Sequence, residues 1–400
     1  MIGREVTVLG AGIAGLAVAR ALAMRGARVT VLEQAEAIRE AGAGIQISPN
    51  GVKVLAALGL GAELEAASLP SQAAELLNGE TGKRVVWLPI GATGAEGGQG
   101  GADYRLVHRG KLISLLEQGA REAGVQIRLL QRVCEVDLGG EAPRVVMATG
   151  AELVTDLLIG ADGLHSKARI ALNGAASPFF TRQICWRATI ADDTARADTA
   201  RPYVAQVFMG AGRHLVSYPL QGGLRNIVAV EERNRWVEES YALRDDPMRL
   251  REAFADFCPL VQGWLAQVEA PMLWGLFRHE VAEHWGAAMP KGAVAILGDA
   301  AHPTLPFLAQ GASMGLEDAW VLADLLASTE AEEAIRLYQA RRKPRCARIV
   351  AAANANARNY HLSGLKRTVG HLGLRAIGAI APRQFVKRFD WVYAHDVTGG

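Results

Sequence analysis

The chain has 400 residues, half of them hydrophobic and 21% charged, a balance that excludes disorder on the scale of a domain and allows two domains. Its 43 Lys and Arg oppose 41 Asp and Glu, so no long-range field favours nucleic acid or an anionic membrane. Cys134, Cys185, Cys258 and Cys346 form no Cys-x-x-Cys pair and the histidines show no ligand spacing, which argues against a metal site and fits reduced thiols in the cytoplasm.

The chain opens as strand, turn, helix, strand. Val6 to Leu9 are β-formers that run into Gly-Ala-Gly-Ile-Ala-Gly from Gly10 to Gly15, Ala14 to Met24 is helix-prone, and Arg28 to Leu32 returns to β-rich composition before Glu33. In such a βαβ unit Gly10 permits the tight turn, Gly12 lets a pyrophosphate approach the backbone, and Gly15 lets helix and sheet pack closely. Free N–H groups at the helix start stabilise phosphate charge. Glu33 is placed to accept from both hydroxyls of an adenosine ribose and to repel a 2′-phosphate, so FAD or NAD fits and NADP does not. This apolar start is not an export signal, and no apolar run reaches the roughly 18 residues of a membrane span.

Ala41 to Asn50 joins flexible glycines, Gly42 and Gly44, to an extended Ile-Gln-Ile, and Gly91 to Gly101 reads as a mobile surface loop. Lys111 to Ala123 reads as a helix, Val125 to Leu130 and Arg144 to Ala148 as strands. An apolar strand from Thr155 to Ile159 runs into Gly160-Ala-Asp-Gly163, where Asp162 either caps the following turn or binds a cofactor group. Between Ser177 and Pro290 short β-rich runs follow one another: Ile184 to Ile190, Tyr203 to Met209, His214 to Tyr218, Asn226 to Val230 and Met272 to Phe277. They predict a sheet domain inserted into the cofactor fold. Ala293 to Leu297 is a buried strand ending at Gly298-Asp-Ala-Ala-His-Pro303, and Gly311 to Leu326 is a helix whose first amides could stabilise negative charge. Ser363 to Gly400 carries basic residues among apolar ones, which predicts one or two amphipathic helices packed on the cofactor domain or at a dimer interface.

The three glycine motifs, in this order, resemble those of the class A flavoprotein monooxygenases, the family of para-hydroxybenzoate hydroxylase, and are most similar to its salicylate hydroxylase and 3-hydroxybenzoate 6-hydroxylase branch. The resemblance covers nearly the whole chain. It implies an α/β fold: a Rossmann-like FAD-binding domain formed by residues 1–176 and 290–355, an inserted β-sheet substrate domain at 177–289, and a helical C-terminal segment at 356–400. It implies that Gly10, Gly12, Ala14, Gly15, Glu33, Gly44, Arg109, Asp162, Asp299, Gly311 and Ala312 bind FAD, Arg109 through its place in Val-His-Arg-Gly-Lys and Asp299 on the ribityl chain.

The segment Pro-Phe-Leu-Ala-Gln-Gly-Ala from Pro306 to Ala312 resembles the family's loop beside the flavin ring. With Gln46 and Tyr104, Pro306 and Phe307 are the expected pocket residues, although Phe307 also reads as a packed aromatic. In Arg213-His-Leu-Val-Ser-Tyr-Pro219 the alternation puts His214, Val216 and Tyr218 on one strand face. By pattern alone that His and Tyr read as structural; the resemblance reverses this and implies a substrate-deprotonating His214 and a pocket Tyr218. The implied reaction is reduction of FAD by NADH or NADPH, addition of dioxygen at flavin C4a, and attack of the resulting hydroperoxide on a small phenolic or hydroxylated heteroaromatic acid. Only one complete Gly-x-Gly-x-x-Gly is present, so the nicotinamide is expected to dock transiently. A flavin oxygenase for polycyclic or non-aromatic substrates and a non-catalytic nucleotide sensor are the alternatives, and a monomer or homodimer is expected.

Overall fold

The structure is a computed structural model that describes residues 1–38, 43–90, 104–192, 203–234, 243–380 and 387–399. The expected mobile loop from Gly91 to Gly101 and Gly42, one of the two glycines expected to be flexible, lie outside these residues.

Two sheets organise the chain. The first has six strands in the spatial order Gly286–Met289, Gly292–Ile296, Leu157–Gly160, Glu5–Leu9, Arg28–Leu32 and Gln126–Arg128. All neighbours are parallel except the first pair. Parallel strands buried on both faces read as continuous apolar runs, and Leu157–Gly160 is buried at every position. Three of the parallel strands lie side by side and end at Leu9, Gly160 and Ile296, so the three glycine motifs meet at one sheet edge, the carboxyl end where open α/β folds hold ligands.

The second sheet has seven strands in the order Met272–Arg278, Phe179–Ala191, Leu224–Glu232, Arg213–Leu220, Val204–Gly210, Ala73–Asn78 and Arg84–Pro89. The last two come from outside the 177–289 segment, so that segment does not supply the whole sheet. Ala73–Asn78 pairs in parallel with Val204–Gly210 and extends its edge, a pairing between distant segments that local pattern cannot show.

Side chains alternate across this sheet with period two. Trp186, Phe208, Leu215, Ile227 and Ala229 pack with the short helices Pro247–Ala253 and Pro259–Ala266. The residues between them, Val207, His214, Val216, Val228 and Val230, face a cavity on the other side. The C-terminal part begins with the helix Gly364–Ile380 and ends in the turn Asp390–Tyr393, which is fastened to the cofactor domain by Arg345 on the carbonyls of Trp391 and Val392 and by Lys53 with Asp396. None of the described helices is long and apolar enough to cross a membrane.

Candidate active site

The helix Ile13–Ala23 starts from Gly12 with no side-chain cap, leaving its first amides for another acceptor. A Cβ on Gly15 would stand 2.0 Å from the Gly10 carbonyl oxygen, and one on Gly10, at φ +94°, would meet the Ala161 carbonyl. A Cβ on Gly12 would meet nothing within 4 Å. Two glycines are thus demanded by the fold, and the third opens onto empty space above the helix start, the cradle a pyrophosphate needs. Ala14 packs against Gly298 and Gly315, where its small side chain lets two helices approach. The Glu33 carboxylate accepts from the amides of Ala11 and Ala35, which fixes it at the end of its strand.

Asp299 is exposed to solvent in the cleft at the end of Gly292–Ile296. Protein around the cleft raises its carboxyl pKa, against His302 and Arg109, which pull it down. Its turn is anchored from below. Asp318 accepts from the Gly298 amide and pairs with His302 at 2.5 Å and with the Arg342 Nε at 2.7 Å, while Arg169 bonds the Ala300 carbonyl. His302, Asp318 and Cys346 come close enough to hold a metal ion, but the Arg342 guanidinium already binds Asp318 there.

The helix Gly311–Ser328 begins at Gly311 and Ala312 behind Gln310, again without a side-chain cap, and its macrodipole favours an anion at that end. Gln310 donates to Ser48, and Asn50 bonds Gln310 and Glu317, so this corner is a satisfied buried network. Asp162 spends its carboxylate on Ser166 Oγ and the Lys167 amide at the start of the next helix, which is the capping side of its two readings. Gly44, expected to be flexible, is held in place. Its amide donates to Asn226 at 2.6 Å, its carbonyl accepts from Arg187 at 2.8 Å, and Tyr218 and Asn226 crowd the place of a Cβ. These residues fit a dinucleotide along the strand ends.

Beside the Pro306–Ala312 loop lies a cavity of about 130 Å³. An apolar cavity of roughly 150 Å³ is known to admit a benzene ring. Gln46, Tyr104, Pro306 and Phe307 all line it, as do His214, Asn356 and Tyr360, together with Phe389 and Tyr393 of the C-terminal segment. Ala309 in the same wall has φ +52°, a left-handed conformation uncommon for a residue with a Cβ, and such outliers gather at ligand clamps. All the polar side chains of this lining are uncharged in form or, for His214, kept so: burial and then His361 hold the His214 pKa well below 6.5.

His214 is 1% exposed, edge-on to Phe307 with ring centroids 5.2 Å apart. Its Nδ1 lies 2.7 Å from the His361 Nε2, and the His361 Nδ1 lies 2.7 Å from the Glu232 Oε1. Tyr218 shares the strand face but not the cavity. Four residues along a strand span about 13 Å, and Tyr218 is buried against Gly44, hydrogen-bonded to Gln46, with its phenol pKa raised by burial. Of the residues expected from the sequence, the structure brings His214, Gln46, Tyr104, Pro306 and Phe307 together around the cavity and leaves Tyr218 outside its lining. Sequence reasoning missed Asn356, Tyr360, His361, Phe389, Tyr393 and Glu232. For Glu232 a signal existed, since it falls in phase with the cavity-facing Val228 and Val230.

Residues 4–353 match the family described as FAD binding domain. The chain is 34% identical to 3-amino-4-hydroxybenzoate 2-monooxygenase of Streptomyces cremeus over 374 residues, 90% of this chain and 89% of that one. It is 31% identical to 3-hydroxybenzoate 6-hydroxylase of Polaromonas naphthalenivorans over 395 residues, 98% and 96% of the two chains. Among solved structures, Klebsiella pneumoniae HpxO complexed with FAD and uric acid superposes with a TM-score of 0.79 at 25% identity, covering 96% of this chain and 95% of that one. With the dinucleotide cradle and the ring-sized cavity already in place, these matches establish that the chain belongs to the FAD binding domain family and is an FAD-dependent monooxygenase of the aromatic-hydroxylase class.

Proposed function

We propose that the protein hydroxylates a small phenolic or hydroxylated heteroaromatic acid in the cytoplasm, with His214 as the acceptor of the substrate's phenolic proton. The observation that carries this reading is the placing of a single imidazole, with one nitrogen already committed to His361, in the wall of a ring-sized cavity beside the Pro306–Ala312 loop.

FAD, held by Gly10 to Gly15, Glu33, Arg109, Asp299 and the Gly311 amides, supplies the acceptance of hydride from NADH or NADPH and the activation of dioxygen. The residues of the chain do the rest. His214, uncharged at neutral pH, accepts the phenolic proton and so raises electron density at the ring carbon to be attacked. Val207, Val216, Val228, Val230 and Phe307 keep water from the ring, which suppresses loss of oxygen as hydrogen peroxide. Gln46, Tyr104 and Tyr393 offer uncharged hydrogen-bond donors for a carboxylate or a ring heteroatom. Burial holds the Tyr104 phenol well above its usual pKa, so it stays a donor. Tyr218 positions Gln46 rather than touching substrate.

The test is a screen of hydroxylated benzoates, hydroxypyridine carboxylates and larger polycyclic phenols for stimulated NADH oxidation with identified product. Turnover of the single-ring acids supports the reading. Turnover of polycyclic compounds alone would overturn it.

A further inference from the structure

We propose that His214, His361 and Glu232 form a proton relay that carries the substrate's phenolic proton out of the cavity to solvent. The proposal deepens the reading of His214 as the proton acceptor and rests on it.

The three side chains make a continuous path from inside to outside. His214 lines the cavity and its side chain is buried; His361 is 2% exposed in its side chain; Glu232 is 52% exposed. Both links are 2.7 Å. The path is built by three separate elements. His214 sits on Arg213–Leu220, and Glu232 ends the neighbouring strand Leu224–Glu232, on the face of Val228 and Val230, where the sheet meets solvent. His361 caps the C-terminus of the 30-residue helix Ala331–Tyr360, and its carbonyl accepts from the Gly212 amide, which ties the helix end to the strand that carries His214.

Hydrogen-bond direction fixes the tautomers. A carboxylate can only accept, so the proton of His361 is on Nδ1 and its Nε2 is an acceptor. That acceptor requires the His214 proton on Nδ1, which leaves the His214 Nε2 lone pair as the one ring nitrogen available to a ligand. Neutral imidazoles at both positions agree with burial, which lowers the pKa of each, with Glu232 opposing the shift at His361.

Burial, and then His361, disfavours the imidazolium form of His214. The neutral ring can pass a proton. The phenolic O–H breaks as an N–H forms at the His214 Nε2; the His214 Nδ1 proton moves to the His361 Nε2; the His361 Nδ1 proton moves to the Glu232 carboxylate, which gives it to water. Neither imidazole carries net charge at the end, the negative charge rests on the phenolate in the cavity, and nothing is oxidised or reduced. The reverse passage, as product leaves in its phenol form, restores the starting tautomers.

The surrounding groups do not compete for this proton. Tyr360, in ring contact with His214, has its phenol pushed up to about 12 by burial. Arg213, next to His214, pairs with Asp256, and Arg233, next to Glu232, pairs with Glu231.

Two measurements on the FAD-loaded protein test the relay. The first is nitrogen-15 NMR of labelled histidine, with signals assigned through His214→Asn and His361→Asn. The relay requires Nδ1–H tautomers at both positions with an unprotonated His214 Nε2, and an Nε2–H tautomer at either residue overturns it. This needs no substrate, so it decides even if the kinetic probe is not turned over. The second compares Glu232→Gln and His361→Asn with wild type, using 3-hydroxybenzoate as probe. Both variants should bind FAD and be reduced by NADH at the wild-type rate, yet hydroxylate about ten- to a hundred-fold more slowly with more hydrogen peroxide. If His214→Ala is impaired while both relay variants hydroxylate at wild-type rate and coupling across pH, the relay is wrong and the acceptor role of His214 stands. If His214→Ala also matches wild type, both are wrong.

Discussion

Gly12 and Gly15 belong to one motif, but the structure gives them opposite vulnerabilities. At Gly12 a Cβ would enter empty space, with backbone φ −76° that any residue adopts, so Gly12→Val should change apoprotein stability by no more than about 1 kcal/mol, the cost of a poorer helix N-cap. The loss should fall on FAD. Each charge-assisted bond from the helix amides to pyrophosphate that valine displaces costs about 1.5–3 kcal/mol, a factor of roughly 10 to 150 in Kd. At Gly15 a Cβ would overlap the Gly10 carbonyl oxygen at 2.0 Å, a clash with backbone that no side-chain rotation relieves. Gly15→Ala should therefore destabilise the apoprotein itself by about 1–3 kcal/mol or more, the range for overpacking. Urea unfolding of the flavin-free proteins measures the first effect and fluorescence titration with FAD the second. Equal apoprotein stability of the two variants, or wild-type FAD affinity in Gly12→Val, would refute the assignment of a fold role to one glycine and a ligand role to the other.

The Asp318 cluster makes a prediction about acid stability. Burial opposes its ionisation, but His302 and Arg342 outweigh that and bring its pKa from 3.8 to about 2, so its contribution is full above about pH 4 and is lost as pH falls toward 2. Asp318→Asn should cost about 3–5 kcal/mol at neutral pH, because the buried His302 loses its carboxylate partner and Arg342 keeps only Glu317, and should flatten the acid limb of a stability-against-pH curve measured by urea unfolding. Substrate in the cavity would touch Pro306 to Ala309, the loop that leads to Gly311, so NADH oxidation should rise several-fold when a turned-over aromatic acid is added. A stopped-flow reduction rate indifferent to every such acid would contradict that coupling.

The cofactor half of the account was legible because its signals are local. Three glycine motifs, a Glu after the second strand and an Asp after the last mark positions at strand ends, and parallel pairing of those strands brings them together without further information. The substrate half was legible only in part. His214 and Tyr218 share a face by the two-residue period, yet four residues of strand separate them by more than a small ring can bridge, and the sequence does not say which of the two the cavity reaches. The C-terminal wall depends on where a long helix ends, which no local pattern records. Phe389 and Tyr393 reach the cavity from a tail whose composition promised only amphipathic packing. His361 was invisible for the same reason, since it becomes His214's partner through the helix that carries it across the sheet.

The central claim is that the chain activates a phenol with His214 beside a flavin, and the most direct measurement is product formed per NADH consumed in His214→Ala and His214→Asn with the best substrate from the screen. Both variants should keep FAD and accept hydride at the wild-type rate. Hydroxylation should fall by about a hundred- to ten-thousand-fold for loss of a general base, with the reducing equivalents appearing as hydrogen peroxide, and the asparagine should not restore it, since it keeps hydrogen-bonding groups but no basic nitrogen. Wild-type rate and coupling in either variant would contradict the claim and return His214 to a structural role.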